Sequence, residues 1–385
     1  MRVGIIGAGI HGAATAYFLK KHGVDDVIVF DKDHPGNGST GYSAGIIRFH
    51  YTNQTQIQLA MRGHDIIKNL EKYVGQDGGF HNNGYLVLYR QQDEKKLQEI
   101  VSRQRACGVD VRLVGADELE SYFSGISTED GIIGAYEPDA GFADPYLVTS
   151  GFVEKAKQLG VTFHVNTEVT GLSREGDTVT SIDTPTDTYN VDYVINAAGQ
   201  FASRVADMVD ISIPLNLCES KIAVLESEHE YSTAHPTLAD HTMATDFYTK
   251  PESSGHFIVG GIDRPQVGLD ERKTGVNEEF LLEVIDRLEQ RLPSYTDASV
   301  VESWSGKLSI TPDSNLIIGE PEPLQNFYNL VGGSGHGFKT GPAFAEAVAK
   351  DILGKDVKYD LSQYRLERFD EDDLLDGVSS KTYSV

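Results

Sequence analysis

Basic residues are scarce in this chain. Against 58 aspartates and glutamates stand 33 lysines and arginines, a formal net charge of −25 over 385 residues. Nucleic acids and anionic membranes need basic patches, so neither is an expected partner. Cysteine is nearly absent. Cys107 and Cys218 have no metal or redox spacing and read as unpaired thiols. No apolar run approaches the roughly 18 residues of a membrane span. No His, Cys and Asp cluster has metal-ligand spacing, and no nucleophile with a matching base appears, so neither a metal site nor covalent catalysis is expected. A cleavable leader is not expected either, because a strand and a glycine-rich turn start at once, and a cytoplasmic location is the expectation. The acidity would suit a salt-rich habitat, yet 18 of the 33 basic residues are lysine, and an acidic surface aids solubility anywhere.

What is present starts at the first residue. The length allows about two domains with buried cores. Residues 1–31, MRVGIIGAGIHGAATAYFLKKHGVDDVIVFD, read as a dinucleotide-binding βαβ unit, with strands over 2–6 and 27–30 and a helix over 13–21. Gly7 allows the tight turn, Gly9 lets a pyrophosphate approach the backbone, and Gly12 lets helix and strand pack closely. The helix N-terminus stabilises phosphate charge. Asp31, 19 residues after Gly12, is placed to accept from a ribose 2′-hydroxyl and disfavours a 2′-phosphate, so NADP is not expected.

Further along, a Gly/Ser-rich loop (36–45) precedes an amphipathic helix over 56–74. A strand over 84–89 and a charged helix over 92–108 follow, then a Pro-initiated helix that ends before Gly160. A β-meander runs through 161–199 with a turn near Glu175-Gly176-Asp177, ending at small residues that let a cofactor approach closely. Strands over 222–226 and 257–261, a helix over 277–292, strands over 316–318 and 327–330 and a closing helix over 341–353 complete the chain. The last ~15 residues read as frayed. This alternation predicts an α/β (α+β) fold, a Rossmann-like domain with a second mixed-β-sheet domain, each visited more than once by the chain.

Five separated motifs carry a family resemblance across nearly the whole length. They are Gly7–Gly12 with Asp31; Gly38-Ser39-Thr40-Gly41-Tyr42-Ser43-Ala44-Gly45-Ile46-Ile47-Arg48; Gly141 with Asp144-Pro145; Ile195-Asn196-Ala197-Ala198-Gly199; and Thr311-Pro312-Asp313 with Ile318-Gly319 and Gly333-Ser334-Gly335-His336-Gly337-Phe338-Lys339. In this order they resemble the FAD-dependent amine and amino-acid oxidoreductases of the D-amino-acid oxidase superfamily. The nearest branch comprises sarcosine oxidase, the β subunits of heteromeric sarcosine oxidase and dye-linked proline dehydrogenase, and glycine oxidase.

The resemblance implies an FAD-binding domain from 1–80, 146–215 and 300–385 and a substrate-binding domain from 81–145 and 216–299. It implies a cofactor site of Gly7, Gly9, Ile10, His11, Gly12, Asp31 and Lys32; Ser39, Thr40, Ala44, Gly45 and Ile46; Val169; Ala197, Ala198 and Gly199; Gly306; and Gly333, Gly335, His336, Gly337, Phe338 and Lys339. Ser39 and Thr40 would support the pyrophosphate and ribityl side, Val169 would meet the adenine through its backbone, and Gly335 to Lys339 would follow the flavin's pyrimidine edge. Arg48 matches the arginine that grips the substrate carboxylate, Lys339 its lysine partner, and Tyr248 a tyrosine lining the substrate pocket. Of three histidines that invite a base role, His336 reads as ordering the glycine-rich loop, while His50 and His256 are weaker candidates.

The implied reaction is hydride transfer from the α-carbon of a secondary amine or amino acid, such as the sarcosine or proline class, to the flavin, giving an imine that hydrolyses. Gly306 and Lys307 stand where some relatives place a flavin-linking cysteine, and Tyr42 where others place a histidine, so noncovalent FAD is expected. The strand 256–260 lacks the oxygen-activating lysine of sarcosine oxidase, which favours an acceptor other than oxygen. A 2-hydroxy acid or glycerol-3-phosphate oxidoreductase, and a flavin-binding subunit that works with a partner chain, are the alternatives.

Overall fold

The computed structural model describes residues 1–129, 131–243, 246–252, 254–262, 264–271 and 275–376. Two sheets organise it. The first has six strands in the order Ile317–Gly319, Phe327–Val331, Tyr193–Asn196, Arg2–Ile6, Asp26–Phe30 and Thr162–His164. All neighbours are parallel except the first pair. Its strands read as continuous apolar runs because both faces are covered. Side chains alternate across the pleat. Val3, Ile5, Val27 and Val29 meet the helices Ile10–Lys21, Pro145–Gln158 and Gly337–Ile352, whereas Ile6, Ile28, Phe30 and Val194 meet a three-stranded meander, 171–190, on the other face.

The second sheet has eight strands, in the order Ser299–Ile310, Asn216–Glu226, Phe257–Gly260, Phe247–Pro251, Thr237–Asp240, Tyr85–Arg90, Ile132–Glu137 and Arg112–Val114. Only Thr237–Asp240 with Tyr85–Arg90 is parallel. One face, with Leu86, Leu88, Leu238, Phe257 and Val259, is sealed by the helix Glu278–Arg291. The other face carries Tyr85, Val87, Tyr89, Ala239 and Tyr248 against Phe49 and Tyr51. That face looks back toward the first sheet, and the functional cavity lies there.

Several expected bounds shift. The strand Ser299–Ile310 pairs with Asn216–Glu226 along its whole length, so residues 300–310 belong to the second sheet and the chain returns to the first only afterwards. The first helix starts at Ile10, directly after Gly9. The helix expected over 56–74 is two, Gln54–Lys68 and Leu70–Val74. Asn69 separates them, its side-chain amide donating to the Asp65 carbonyl at 2.9 Å in the competition with helical geometry that asparagine favours. The helix expected over 92–108 is a 3₁₀ turn, Gln91–Asp93, followed by Glu94–Ala106. The closing helix begins at Gly337, with Pro342 inside it.

Residues 377–385 of the expected frayed tail lie outside the described residues, but residues 371–376 are docked. Arg365 donates to Asp373 at 2.9 Å and pairs with Glu371, and Leu375 N donates to Asp313 at 3.3 Å.

Candidate active site

The turn after the first strand is packed so closely that side chains are excluded. A Cβ on Gly12 would lie 1.9 Å from the Gly7 carbonyl oxygen, and one on Gly7, which sits at φ +105°, would lie 2.4 Å from the Ala197 carbonyl oxygen. Gly9 caps the helix Ile10–Lys21 without offering a side-chain acceptor. The first-turn N–H groups therefore open toward a cavity of about 660 Å³, the arrangement that receives an anion. Thr40 Oγ1 accepts from Ile10 N at 3.2 Å and ties the Gly/Ser loop to this turn.

Asp31 is more occupied than its sequence position suggests. Its carboxylate accepts from Ala8 N at 2.7 Å and Asp33 N at 2.9 Å, so it braces the turn. Burial nevertheless pushes its pKa up, against those two donors. Lys32 Nζ lies 3.4 Å above the Phe201 ring at the same end of the cavity. His11 packs against the Gly333 and Gly337 backbone, and burial holds its imidazole neutral, with a pKa pushed down to about 4.

Every residue of the expected cofactor set lines this one cavity except Gly12 and Gly45. Gly12 serves the helix–strand contact. Gly45, at φ +71°, would place a Cβ 2.1 Å from the Ala143 carbonyl oxygen, so it serves the loop's own packing. Gly306 faces Tyr42, whose Cβ would be 2.5 Å from an added Cβ. Ser39 Oγ donates to the Lys307 carbonyl at 2.7 Å, and Lys307 Nζ donates to the carbonyls of Gly268, Leu269 and Glu271 at 2.7–2.8 Å. The Lys307 ammonium is thus spent on pinning residues 268–271 beside the cavity.

At the opposite end the cavity turns cationic. Arg48, Lys339 and Tyr248 all line it. The Arg48 guanidinium carbon lies 4.5 Å from the centre of the Tyr51 ring and 5.7 Å from that of Tyr85. Arg48 also donates to the His50 carbonyl and approaches His336 Nδ1 at 3.4 Å. Lys339 stands in the first turn of the closing helix, and burial, then Arg48 and Arg264, hold its pKa well below the usual lysine value. His336 is held neutral by burial and by the same cations together with Lys339. Its Nε2 is buried and has no hydrogen-bond partner among the described residues. Tyr248 leans over Gly260, where a Cβ would meet its hydroxyl at 2.5 Å.

The two weaker histidines are not on the cavity wall. His50 is buried behind it, its Nε2 2.9 Å from the Tyr89 hydroxyl. His256 contacts Ser254 Oγ at 3.1 Å. Two features escaped the sequence reading. Arg264, just past the strand Phe257–Gly260, joins the cationic end, and His241 Nδ1 lies 2.8 Å from Asp246 Oδ2 on the same wall. Both lie in loops without a motif, and only the pairing of distant strands brings them here. Among the described residues no group of three His, Cys, Asp or Glu is arranged to hold a metal ion. No described helix is long and apolar enough to cross a membrane. Both cysteines are free, and burial raises both thiol pKa values.

Comparison with known proteins gives a consistent result. The profile of the DAO family, described as FAD dependent oxidoreductase, matches residues 2–350. FAD-dependent oxidoreductase domain-containing protein 1 of Xenopus laevis is 28% identical, covering 95% of this chain and 82% of that protein. Sarcosine oxidase subunit beta of an Arthrobacter species is also 28% identical, covering 97% and 92%. Among solved structures, L-proline dehydrogenase from P. horikoshii superposes with a TM-score of 0.89 at 27% identity, over 97% of this chain and 99% of that one.

Proposed function

This chain belongs to the DAO family of FAD-dependent oxidoreductases, and from that membership we propose that it oxidises a secondary amine or α-amino acid, N-alkyl or cyclic, held by its carboxylate. FAD is the cofactor, and the residues present suit it. The helix start that follows Gly9 offers backbone donors for the pyrophosphate, Asp31 keeps lone pairs for ribose, and the wall from Gly333 to Lys339 offers backbone and a cation for the flavin end. No cysteine or histidine stands at Gly306, Lys307 or Tyr42, which supports noncovalent binding. When bound, FAD supplies the two-electron acceptor for the substrate's α-C–H bond.

The observation that carries the reading is the cationic end of the cavity. Arg48 and Lys339 line it beside aromatic side chains, Tyr85 and Tyr248, and burial with Arg48 and Arg264 nearby makes the charge on Lys339 costly. A carboxylate relieves that cost, and Arg48 can meet it with a planar fork. The apolar and aromatic walls exclude water and orient the α-carbon.

The test is anaerobic bleaching of the bound flavin with amino acids, N-methyl amino acids and 2-hydroxy acids, followed by readmission of air. Bleaching by an N-alkyl or cyclic amino acid is the expected result, with slow re-oxidation marking an acceptor other than oxygen. Bleaching by hydroxy acids alone would replace the amine reading. The kinship with a sarcosine oxidase subunit beta supports a second element, a partner subunit that takes the electrons. Dye-dependent turnover together with a co-purifying chain would support it.

A further inference from the structure

We propose that His241, backed by Asp246, accepts the proton that an amine substrate must lose before it can be oxidised. The inference rests on the amine reading of the site. An α-amino acid arrives near neutral pH as a zwitterion. Its α-C–H bond gives up an electron pair readily only when the nitrogen lone pair is free, so an N–H bond must first break. The surroundings of the carboxylate clamp oppose an ammonium group, because Arg48, Lys339 and Arg264 share that end of the cavity. A base with a negative charge behind it is the missing part.

His241 has that setting. It follows the strand Thr237–Asp240 and lines the cavity with Asp246, which precedes Phe247–Pro251. Asp246 Oδ2 lies 2.8 Å from His241 Nδ1, and the side chains remain 13% and 26% exposed. A proton carried on Nδ1, beside the carboxylate, leaves Nε2 as the acceptor. The other groups around the imidazole are the Tyr89 ring, with centroids 5.3 Å apart, and His50, which feels the charge of both His241 and Arg48. The dyad therefore lines the same cavity as the carboxylate clamp, on the sheet face that carries Tyr248.

The step balances without any change of oxidation state. The ammonium N–H bond breaks, its electron pair stays on nitrogen, and the proton forms a bond to His241 Nε2. The imidazolium is created against a carboxylate rather than alone, and it later returns the proton to water. The other histidines are less suited. His336 faces Arg48 at 3.4 Å, and His50 is engaged with Tyr89 behind the wall.

The test uses the flavin-loaded enzyme and whichever of L-proline, sarcosine or N-methyl-L-alanine bleaches it anaerobically. The bleaching rate is measured against pH for wild type, His241→Gln, Asp246→Asn, and His241→Ala with added imidazole. General-base catalysis contributes on the order of 10²–10⁴-fold, so H241Q should bleach about 100-fold slower near neutral pH and recover as pH nears the amine's own pKa. D246N should show a smaller loss in the same direction, and imidazole should restore part of the H241A rate.

Binding of pyrrole-2-carboxylate, read from flavin absorbance, should be unchanged in every variant, since that ligand has a carboxylate but no ammonium. Variants with the wild-type pH profile would overturn the dyad's role while leaving the amine reading intact. A parallel loss of pyrrole-2-carboxylate binding would also overturn it, by making the role structural. Wild type unbleached by any amine would overturn both.

Discussion

Glu137 places a carboxyl group where a charge is expensive. It ends the strand Ile132–Glu137 and is fully buried. Oε2 accepts from Phe49 N at 2.8 Å, Oε1 accepts from Gln104 Nε2 at 2.5 Å, and His50 Nδ1 lies 3.9 Å away. Burial outweighs these donors and the field of Arg48, and the carboxyl pKa is pushed from 4.5 up to about 7. Between those values the native state holds a proton that the unfolded chain has released, so stability falls as pH rises through the window and stays low above it. The displacement is worth about 3 kcal/mol at full extent.

Glu137→Gln removes that dependence. Its oxygen can still accept from Phe49 N, and its new amide can donate to the Gln104 oxygen, which is buried and without a partner, once that side chain turns over. Urea unfolding of E137Q and wild type, each with saturating FAD, should give similar stabilities near about pH 5. By about pH 8 the variant should lead by up to about 3 kcal/mol. The difference between the two proteins cancels the titration of the other carboxylates. A difference that stays flat with pH would refute the reasoning and show that Arg48 and the two donors hold Glu137 ionised throughout.

Other outcomes follow from single contacts. Arg48→Lys should weaken pyrrole-2-carboxylate binding by about 10- to 100-fold, the worth of one or two lost charge-assisted hydrogen bonds, read as a shift in the flavin titration. Gly12→Ala forces a Cβ to within 1.9 Å of the Gly7 carbonyl oxygen, so the purified variant should lose flavin absorbance on gel filtration. Arg368 holds Asp313 through Nε at 2.8 Å and a second nitrogen at 3.0 Å, both residues buried. Arg368→Met strands that carboxylate and should cost about 3–5 kcal/mol in urea unfolding, whereas adding Asp313→Asn should recover a large part of it.

How much of this was readable from the chain depended on distance along it. The Gly7–Gly12 turn and Asp31 belong to one local unit, where spacing alone fixes geometry. The same holds for Gly333–Lys339, a strand end running into a helix start. The cationic end of the cavity is different in kind. Arg48 leaves a short strand, Ile46–Ile47, that pairs with Gly141–Phe142. Lys339 arrives from the closing helix, and Arg264 and His241 come from loops that follow two separate strands of the second sheet. Nothing near His241 in sequence announces a partner, because Asp246 reaches it only when Thr237–Asp240 and Phe247–Pro251 pair as a hairpin, with Ala239 opposite Tyr248.

The same register explains why Tyr248 was legible only through resemblance, and why the pairing of residues 300–310 with Asn216–Glu226 was not foreseen. A strand's periodicity shows which residues share a face but not which strand lies beside it. Asp313 makes the converse point. Its motif helped carry the family resemblance, and its carboxylate is consumed by Arg368 and by Asn315 N, at 3.1 Å. The motif marks the place where the C-terminal segment is locked over the first sheet, one layer away from the chemistry. Cofactor recognition in this fold is written in contiguous backbone, and substrate recognition in side chains that converge from both sheets. A family likeness therefore transfers the first far more securely than the second, and on the proposed reading the choice of substrate falls to Arg48, Lys339, Arg264 and His241.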